Sequence, residues 1–287
     1  MKISNILKSR EITVSCELFP PKEGAVLGNV QKVVKEIARL NPSFMSITYG
    51  AGGAGSHNTT QIAHEIQNIN GITALAHLTC IGSKKDDIIR TLKELKDKNI
   101  ENILALRGDL PQNKPLLHGD YKYASELTEE IHKNGDFCVG GACYPEGHPE
   151  SANLQKDIEY LKVKVESGCS FLTTQMFFDN NILYNFMFRL LKNGVDVPVI
   201  AGIMPITNAK QVERIFKLSG TALPPRFKAI VDRFADNPDA MKQAGIAYAT
   251  EQIIDLIANG INHMHIYTMN KPDIAKNIMG NLSEIFK

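Results

Sequence analysis

Near its middle the chain reads Asn102-Ile-Leu-Ala-Leu-Arg-Gly-Asp-Leu-Pro111, an apolar run that stops at charged residues. Four apolar residues in succession, 103–106, predict a short strand that is buried on both faces, and Gly108 and Pro111 end it. In α/β folds, ligands bind in the loops that follow the carboxyl ends of parallel strands. Arg107 and Asp109 are therefore candidate site residues, and a turn closed by a local ion pair is the alternative.

On both sides of this strand, apolar runs alternate with segments of helical periodicity. Strands are predicted at 13–19, 44–49, 73–79, 102–107, 137–144, 170–176, 197–202 and 262–268. Helices are predicted at 26–40, 57–69, 84–98, 121–134, 153–167, 180–193, 208–218, 239–259 and 272–284. Residues 221–239, with three prolines, are predicted to be an excursion carrying a short helix. Eight alternating strands predict an α/β fold, a TIM (β/α)8 barrel forming one domain over residues 1–287.

Composition narrows the class of protein. Lys and Arg total 32 against 31 Asp and Glu, and this net charge of +1 gives no field that would attract nucleic acid or an anionic membrane. No stretch approaches the roughly twenty apolar residues of a membrane span, and the N-terminus lacks an apolar signal core, so we expect a cytoplasmic location. The five cysteines lack Cys-x-x-Cys spacing and are expected to be buried reduced thiols, with no structural zinc.

Polar or ring-bearing residues stand at the ends of seven predicted strands, and the remaining strand ends in Gly202-Ile203-Met204-Pro205. A site assembled from the loops of one barrel face requires such a ring of side chains. The residues at the seven ends are Glu17, Thr48 and Tyr49, His77, Arg107 to Asp109, Tyr144, Gln175 and Tyr267.

Glu17 is the candidate general acid. It lies opposite the apolar side chains of its strand, on the face that turns inward in a barrel. Few cationic residues are near it in sequence, and desolvation favours the protonated form of a carboxylic acid, which suits it to deliver a proton near neutral pH. A salt bridge to a barrel Lys or Arg is the alternative.

Two further motifs have competing interpretations. The segment Gly50 to Gly55 satisfies the dinucleotide fingerprint and would permit an NAD-binding dehydrogenase, but no acidic residue ends the next strand, so a loop that lets backbone approach a ligand is preferred. The pair His263 and His265 shares one strand face with Tyr267, a spacing that some metal sites use. Hydrogen-bonded interior histidines and no metal are preferred, because no free acidic partner is near.

The segment Tyr144 to Glu150 predicts a stiff loop suited to planar ligands, because it contains two prolines, a ring and an imidazole. In the helix that follows, Asp157 and Lys164 are two turns apart on one face. A solvated charged face is the alternative there.

These residues resemble the methylenetetrahydrofolate reductases of the bacterial single-domain type, from Val14 to about Lys271. The matching segments, in order, are Cys16-Glu17-Leu18-Phe19-Pro20-Pro21-Lys22, Ser46-Ile47-Thr48-Tyr49-Gly50-Ala51, His77-Leu78-Thr79-Cys80, Leu104-Ala105-Leu106-Arg107-Gly108-Asp109-Leu110-Pro111, Tyr144-Pro145-Glu146-Gly147-His148-Pro149-Glu150, Thr174-Gln175-Met176-Phe177-Phe178-Asp179 and Tyr267-Thr268-Met269-Asn270.

The resemblance implies a barrel that binds FAD noncovalently and passes hydride from NADH, NADPH or another donor to 5,10-methylenetetrahydrofolate, giving 5-methyltetrahydrofolate in one-carbon metabolism. It makes Glu17 the acid that opens the substrate's five-membered ring, and Asp109 the carboxylate beside flavin and pterin. The cofactor contacts that it implies are Thr48, Tyr49, Ala51, His77, Arg107, Gly108, Asp109, Tyr123, Ala124, Tyr144, His148, Asp157 and Lys164. Contacts to folate or nicotinamide are Gln175, Gln211, Tyr267 and Lys271.

Two positions differ from the family pattern. Lys271 stands where arginine is usual and cannot form a forked pair with the glutamate tail of folate. The aromatic residue that stacks on nicotinamide falls near Ile215 and Phe216. The resemblance also implies a homo-oligomer or a complex with a partner subunit, and no regulatory extension is expected. The alternatives are an NAD-binding dehydrogenase using the Gly50 to Gly55 loop, or a barrel subunit of a larger redox complex.

Overall fold

The computed structural model describes residues 1–9, 11–21, 27–49, 55–109, 119–212, 215, 221 and 223–286. Eight parallel strands form a closed barrel in chain order. The strands are β1 (Thr13–Leu18), β2 (Phe44–Ile47), β3 (Ala74–Thr79), β4 (Asn102–Leu106), β5 (Cys138–Cys143), β6 (Phe171–Thr174), β7 (Val199–Ile203) and β8 (His263–Tyr267). The predicted (β/α)8 barrel is confirmed.

Helices surround the strands in the predicted alternation. They are α1 (Ile3–Ser9), α2 (Leu27–Ala38), α3 (Gly55–His64), α4 (Lys85–Asp97), α5 (Ala124–Asn134), α6 (Leu154–Glu166), α7 (Asn180–Lys192), α8 (Pro225–Phe234), α9 (Pro238–Ala258) and α10 (Pro272–Asn281). α3 continues as a π-helical turn, Glu65–Ile69. The predicted helix at 208–218 is helical where it is described, at 209–212 and 215.

The barrel closes where β1 pairs with β8. Ser15 lies opposite His265, and Glu17 opposite Tyr267. Side chains alternate along a strand, so these four share the interior, while Cys16 packs outside in the core between the strands and the helices. The closed barrel rules out the NAD-binding dehydrogenase alternative in its Rossmann form, because that fold binds the dinucleotide at the switch point of an open sheet.

α1, a helix not predicted from the sequence, closes the amino-terminal end of the barrel. Its buried side chains Ile3, Ile6 and Leu7 form one cluster with Phe44, Leu75, Leu104, Cys138, Phe171 and Ile200. Asn102 fixes the helix, because its Oδ1 accepts from the Ile3 N–H at 2.8 Å and its Nδ2 donates to the Met1 carbonyl at 3.1 Å. Apolar side chains therefore fill the lower barrel, and the polar interior lies toward the other end.

The excursion before α9 belongs to the same domain. α8 is the short helix predicted there, and its Phe227 ring stacks on Tyr248 of α9 at a centroid distance of 4.1 Å. Phe178 stacks on the same Phe227 ring at 5.4 Å. All five cysteines are buried and free, as predicted. Within the described part of the chain, no helix has the length and apolar character to cross a membrane.

Candidate active site

The interior of the barrel brings two imidazoles to Glu17. Only 7% of this residue is exposed. Its Oε2 lies 3.7 Å from Nε2 of His77 on β3 and 3.8 Å from Nε2 of His265 on β8. The alternative of a Lys or Arg salt bridge is wrong for the described residues, since both ionisable partners of the carboxylate are histidines. Glu17 is thus an interior acid, as the alternation along β1 predicts.

Two serines fix the ring of His265. Ser15 Oγ donates to the Met264 carbonyl at 2.9 Å, so it accepts from the Nδ1–H of His265 at 2.7 Å. In the neutral ring Nε2 is then an acceptor, and Ser46 Oγ lies 3.1 Å from it. Together with the hydrogen bond between Thr13 Oγ1 and His263 Nδ1 at 3.0 Å, this arrangement matches the predicted hydrogen-bonded histidines.

His77 presents an unused polar atom beside the acid. Burial lowers the pKa of His77 to about 4, against the raising effect of the Glu17 charge, so the ring is neutral at physiological pH. Its Nε2 is buried and has no hydrogen-bond partner among the described residues. An unpaired buried polar atom is costly, and a bound ligand can supply the missing partner.

Tyr267 lies on the interior face of β8, above His265. Its hydroxyl donates to the Thr174 carbonyl at 2.5 Å, and burial raises its pKa well above the ordinary value, so it remains a hydrogen-bond donor. Gly202 makes room for this contact, because a Cβ at that position would lie 2.4 Å from the Thr174 carbonyl oxygen and 2.6 Å from the Tyr267 hydroxyl. The glycine near the end of β7 therefore has a steric reason.

Arg107 is ion-paired, but to a distant partner. Its two terminal nitrogens bind the two carboxylate oxygens of Glu150, each at 2.6 Å, and this pair raises the pKa of Arg107. The alternative of a turn closed by a local ion pair is therefore wrong, because the pair joins the loops after β4 and β5. Asp109 itself is exposed at the mouth of the barrel. Gly108 has φ +89, and a Cβ there would meet Ile81 Cγ2 at 2.9 Å.

The loop after β5 and the helix α6 place the next four predicted residues together. The Tyr144 and His148 rings meet edge to face at 4.6 Å, and a cavity of about 330 Å³ is lined by this loop, including His148. Asp157 is buried and accepts from Ser151 Oγ at 2.8 Å. The Lys164 ammonium donates to the Ala142 carbonyl at 2.6 Å, and burial lowers its pKa. Asp157 and Lys164 therefore do not form a solvated charged face, and that alternative is wrong.

The remaining predicted residues are less closely grouped. Thr48 and Tyr49 are half-buried after β2, and Tyr123 is 55% exposed directly before α5, whose first residue, Ala124, is buried.

Gln175 is half-buried after β6. Gln211 accepts from the Thr207 N–H at 3.1 Å, and Lys271 is exposed before α10. Ile215 is buried in the Phe227 cluster. Ala51, most of the Gly50 to Gly55 loop, and Phe216 lie outside the described residues.

Three residues with contacts at the site have no role predicted from the sequence: Ser46, Glu150 and Asn270. Ser46 could have been found, since the inward alternation that places Glu17 on β1 also places Ser46 on β2, where it pairs with Glu17 in register. Glu150 gave no signal, because its partner Arg107 is 43 residues earlier in the chain. Asn270 stands in a matched segment, but its contacts depend on how β8 and β1 meet.

Comparison with known proteins agrees with this geometry. A family model described as methylenetetrahydrofolate reductase matches residues 2–283. A 5,10-methylenetetrahydrofolate reductase of Pectobacterium carotovorum subsp. carotovorum is 32% identical over 266 residues, which cover 92% of this chain and 88% of that protein. Methylenetetrahydrofolate reductase (NADH) 1 of Arabidopsis thaliana is 33% identical over 298 residues, which cover 99% of this chain and 50% of the relative. The chain thus spans about half the length of the plant relatives that it matches.

A solved structure described as an uncharacterized protein from Clostridium thermocellum that binds two copies of 5-methyl-5,6,7,8-tetrahydrofolic acid has a TM-score of 0.70 to this chain. The superposition covers 99% of this chain and 100% of the other, at 15% sequence identity, and shows a shared fold. The family match over 2–283, the bacterial relative and the barrel with its interior acid lead to one conclusion: the chain belongs to the methylenetetrahydrofolate reductase family.

Proposed function

We propose that the protein reduces 5,10-methylenetetrahydrofolate to 5-methyltetrahydrofolate, with FAD as the noncovalent hydride carrier and NADH as the donor. The observation that carries this proposal is the buried carboxyl group of Glu17, which lies inside the barrel within 3.8 Å of two histidine rings in a chain of this family. NADH is proposed because two plant relatives carry it in their names.

The residues present fit a planar cofactor at the mouth of the barrel. His77 Nε2 and Thr173 Oγ1 are buried without hydrogen-bond partners among the described residues, so polar groups inside the barrel are available to a ligand. The small interior residues Gly140 and Gly202 let the Phe171 ring and the Tyr267 hydroxyl pack against the strands, so these two side chains line that side of the barrel. FAD, when bound, supplies the hydride.

Several residues would hold FAD. We assign His77, Arg107 and Gly108, at the ends of β3 and β4, and the Tyr144 and His148 rings to cofactor contacts. Asp157 and Lys164 join them from α6. The proposed set is completed by Thr48, Tyr49, Ala51, Asp109, Tyr123 and Ala124.

Glu17 would carry the proton of the reaction. Protonation of a nitrogen in the five-membered ring of the substrate opens that ring and leaves an electrophilic one-carbon unit, to which hydride adds. Proton and hydride together convert the methylene bridge into a methyl group. His265 would face Glu17 from below with its ring fixed by Ser15, and an acceptor Nε2 at this position favours the protonated carboxyl group, the form that delivers the proton. Gln175, Gln211, Tyr267 and Lys271 are proposed contacts to folate or nicotinamide.

Reconstitution tests the proposal directly. The purified protein is mixed with FAD, freed of unbound cofactor and examined by visible spectroscopy, and the bound flavin is then reduced anaerobically with NADH, NADPH or a reduced ferredoxin. We expect flavin absorption bands, bleaching by NADH, and recovery of the bands when methylenetetrahydrofolate is added. A protein that retains no FAD, or a reduced flavin that methylenetetrahydrofolate does not reoxidise, would contradict the proposal. Bleaching by ferredoxin alone would replace NADH as the donor.

A further inference from the structure

The loop after β8 binds the backbone that follows Glu17. Asn270 Oδ1 accepts from the Phe19 N–H at 2.8 Å, and Asn270 Nδ2 donates to the Phe19 carbonyl at 2.9 Å. One side-chain amide therefore satisfies both backbone groups of Phe19, as a neighbouring strand would. Two residues earlier, Thr268 Oγ1 donates to the carbonyl of Glu17 itself at 2.6 Å.

These bonds lie where the barrel ladder has ended. β1 stops at Leu18 and β8 at Tyr267, and the prolines after Phe19 contribute no N–H. On the other side, β2 reaches the Leu18 carbonyl through the Thr48 N–H at 3.0 Å. Asn270 thus continues the pairing between β1 and β8 by one residue beyond the end of β1. That residue, Phe19, is two positions from Glu17.

The conformation of the loop suits asparagine. Met269 and Asn270 have φ values of 53 and 56, in the left-handed region that residues other than glycine rarely adopt. Asparagine tolerates this region better than most residues because its short polar side chain can bond nearby backbone. Strained backbone of this kind persists where surrounding contacts fix it, and it is concentrated at functional sites.

We infer that Asn270 is a positioning residue for Glu17: its amide clamps Phe19 and thereby sets where the Glu17 carboxyl group stands relative to the bound substrate. This inference rests on the proposed function. The carboxyl group must reach one nitrogen of the substrate while it stays between His77 and His265. A displacement of about 1 Å at a reacting group can cost roughly a hundredfold in rate.

Three variants separate the clamp from other effects. Asn270→Gly keeps the left-handed backbone and removes both bonds to Phe19. Asn270→Asp keeps the acceptor for the Phe19 N–H and loses the donor. Asn102→Ala is the matched control, because Asn102 makes the same kind of side-chain bonds to backbone at the opposite end of the barrel, to Ile3, Met1 and Ala74.

Amide hydrogen exchange and single-turnover kinetics are measured on the FAD-loaded protein. For Asn270→Gly we expect faster exchange at the Phe19 amide, flavin reduction by the donor within about twofold of wild type, and reoxidation by methylenetetrahydrofolate slowed by roughly ten- to a hundredfold. Asn270→Asp should restore part of the protection and part of the rate. Asn102→Ala should lower the melting temperature and leave both half-reactions unchanged.

If hydrogen exchange at the Phe19 amide were unchanged in Asn270→Gly, the Asn270 side chain would not hold Phe19 and the inference would fail. Faster exchange with wild-type reoxidation would overturn the positioning role, and so would an equal loss in both half-reactions. If the wild-type protein bound FAD but failed to turn over methylenetetrahydrofolate, the proposed function would fall and the role given to Glu17 with it. The exchange measurement would then still decide whether Asn270 holds Phe19.

Discussion

At the scale of single residues, the carboxyl group of Glu17 is the feature on which the proposed chemistry depends. For Glu17→Gln we expect flavin reduction by the donor close to the wild-type rate, because hydride transfer into the cofactor needs no acid. Turnover of methylenetetrahydrofolate should fall by at least roughly a hundredfold, since an amide cannot supply the proton. Stopped-flow measurement of the two half-reactions checks this. The control is Glu11→Gln, at an exposed carboxylate just before β1. If both half-reactions survived in Glu17→Gln, another group would be the acid.

Because the His77 ring is buried, we expect the stability of the folded protein to depend on pH. Burial lowers its pKa from 6.5 to about 4. Between these values the unfolded chain binds a proton that the folded chain does not, so the free energy of unfolding falls as the pH decreases through this window. We expect His77 to lower the free energy of unfolding by about 2 kcal/mol when the pH falls from roughly 7.5 to 5.

Urea denaturation of the apo protein at both pH values measures this difference. His77→Gln should lose less stability than wild type on acidification. The control His57→Gln, at an exposed histidine of α3, should behave like wild type. An identical pH dependence in His77→Gln and wild type would show that burial does not keep this ring neutral.

At the scale of secondary-structure elements, β7 and β8 fit together only because Gly202 lacks a side chain. In Gly202→Ala the new methyl group would meet the Thr174 carbonyl and the Tyr267 hydroxyl at distances under 2.7 Å, so the tyrosine must move. We expect a loss of about 1–3 kcal/mol, typical of overpacking, together with weaker substrate binding. Thermal unfolding and KM measure the two effects. Gly280→Ala in α10 is the control, since nothing lies within 4 Å of its Cβ position and alanine favours helix. Equal melting temperatures for the two variants would contradict the prediction.

The helix α1 provides a second prediction at this scale. Ile6 is 2% exposed and belongs to the cluster that fills the lower barrel. Ile6→Ala should cost about 2–4 kcal/mol, because it leaves a cavity among Phe44, Leu75 and their neighbours. Denaturant unfolding checks the loss, and Ile69→Ala, at a residue that is 64% exposed, serves as the control. FAD affinity should not change, since the cluster lies at the opposite end from the site. A variant as stable as wild type would mean that α1 does not plug the barrel.

At the scale of the whole molecule, cofactor and fold should be coupled. The proposed FAD contacts come from the ends of β2, β3, β4 and β5 and from α5 and α6, so they are assembled only in the folded barrel. A ligand that binds only the folded state at a hundred times its Kd adds about 2.7 kcal/mol of stability. We expect FAD to raise the melting temperature by roughly 5–10 °C. ADP at the same concentration is the comparison, and an equal shift with ADP, or no shift with FAD, would contradict a flavin site.

Much of this architecture was predictable from local patterns. The repeated alternation of apolar strands and amphipathic helices specifies parallel connections, and eight of them close a barrel. The two-residue period of β1 already placed Glu17 opposite Cys16, and therefore inside. The apolar run before Arg107 likewise marked a strand end. These features depend on residues that are close together in the chain, so they can be identified from a single sequence.

Contacts between distant segments required the tertiary structure. Arg107 meets Glu150 across 43 residues, and Asn270 meets Phe19 across 251. The sequence by itself determined the barrel, its order of strands and the inward face of β1, because periodicity is a local property. Only the folded chain decided that His77 and His265 flank the acid, that α1 fills the lower barrel and that the Lys164 ammonium binds the Ala142 carbonyl. Strand register and loop paths set these distances, and no local pattern encodes them.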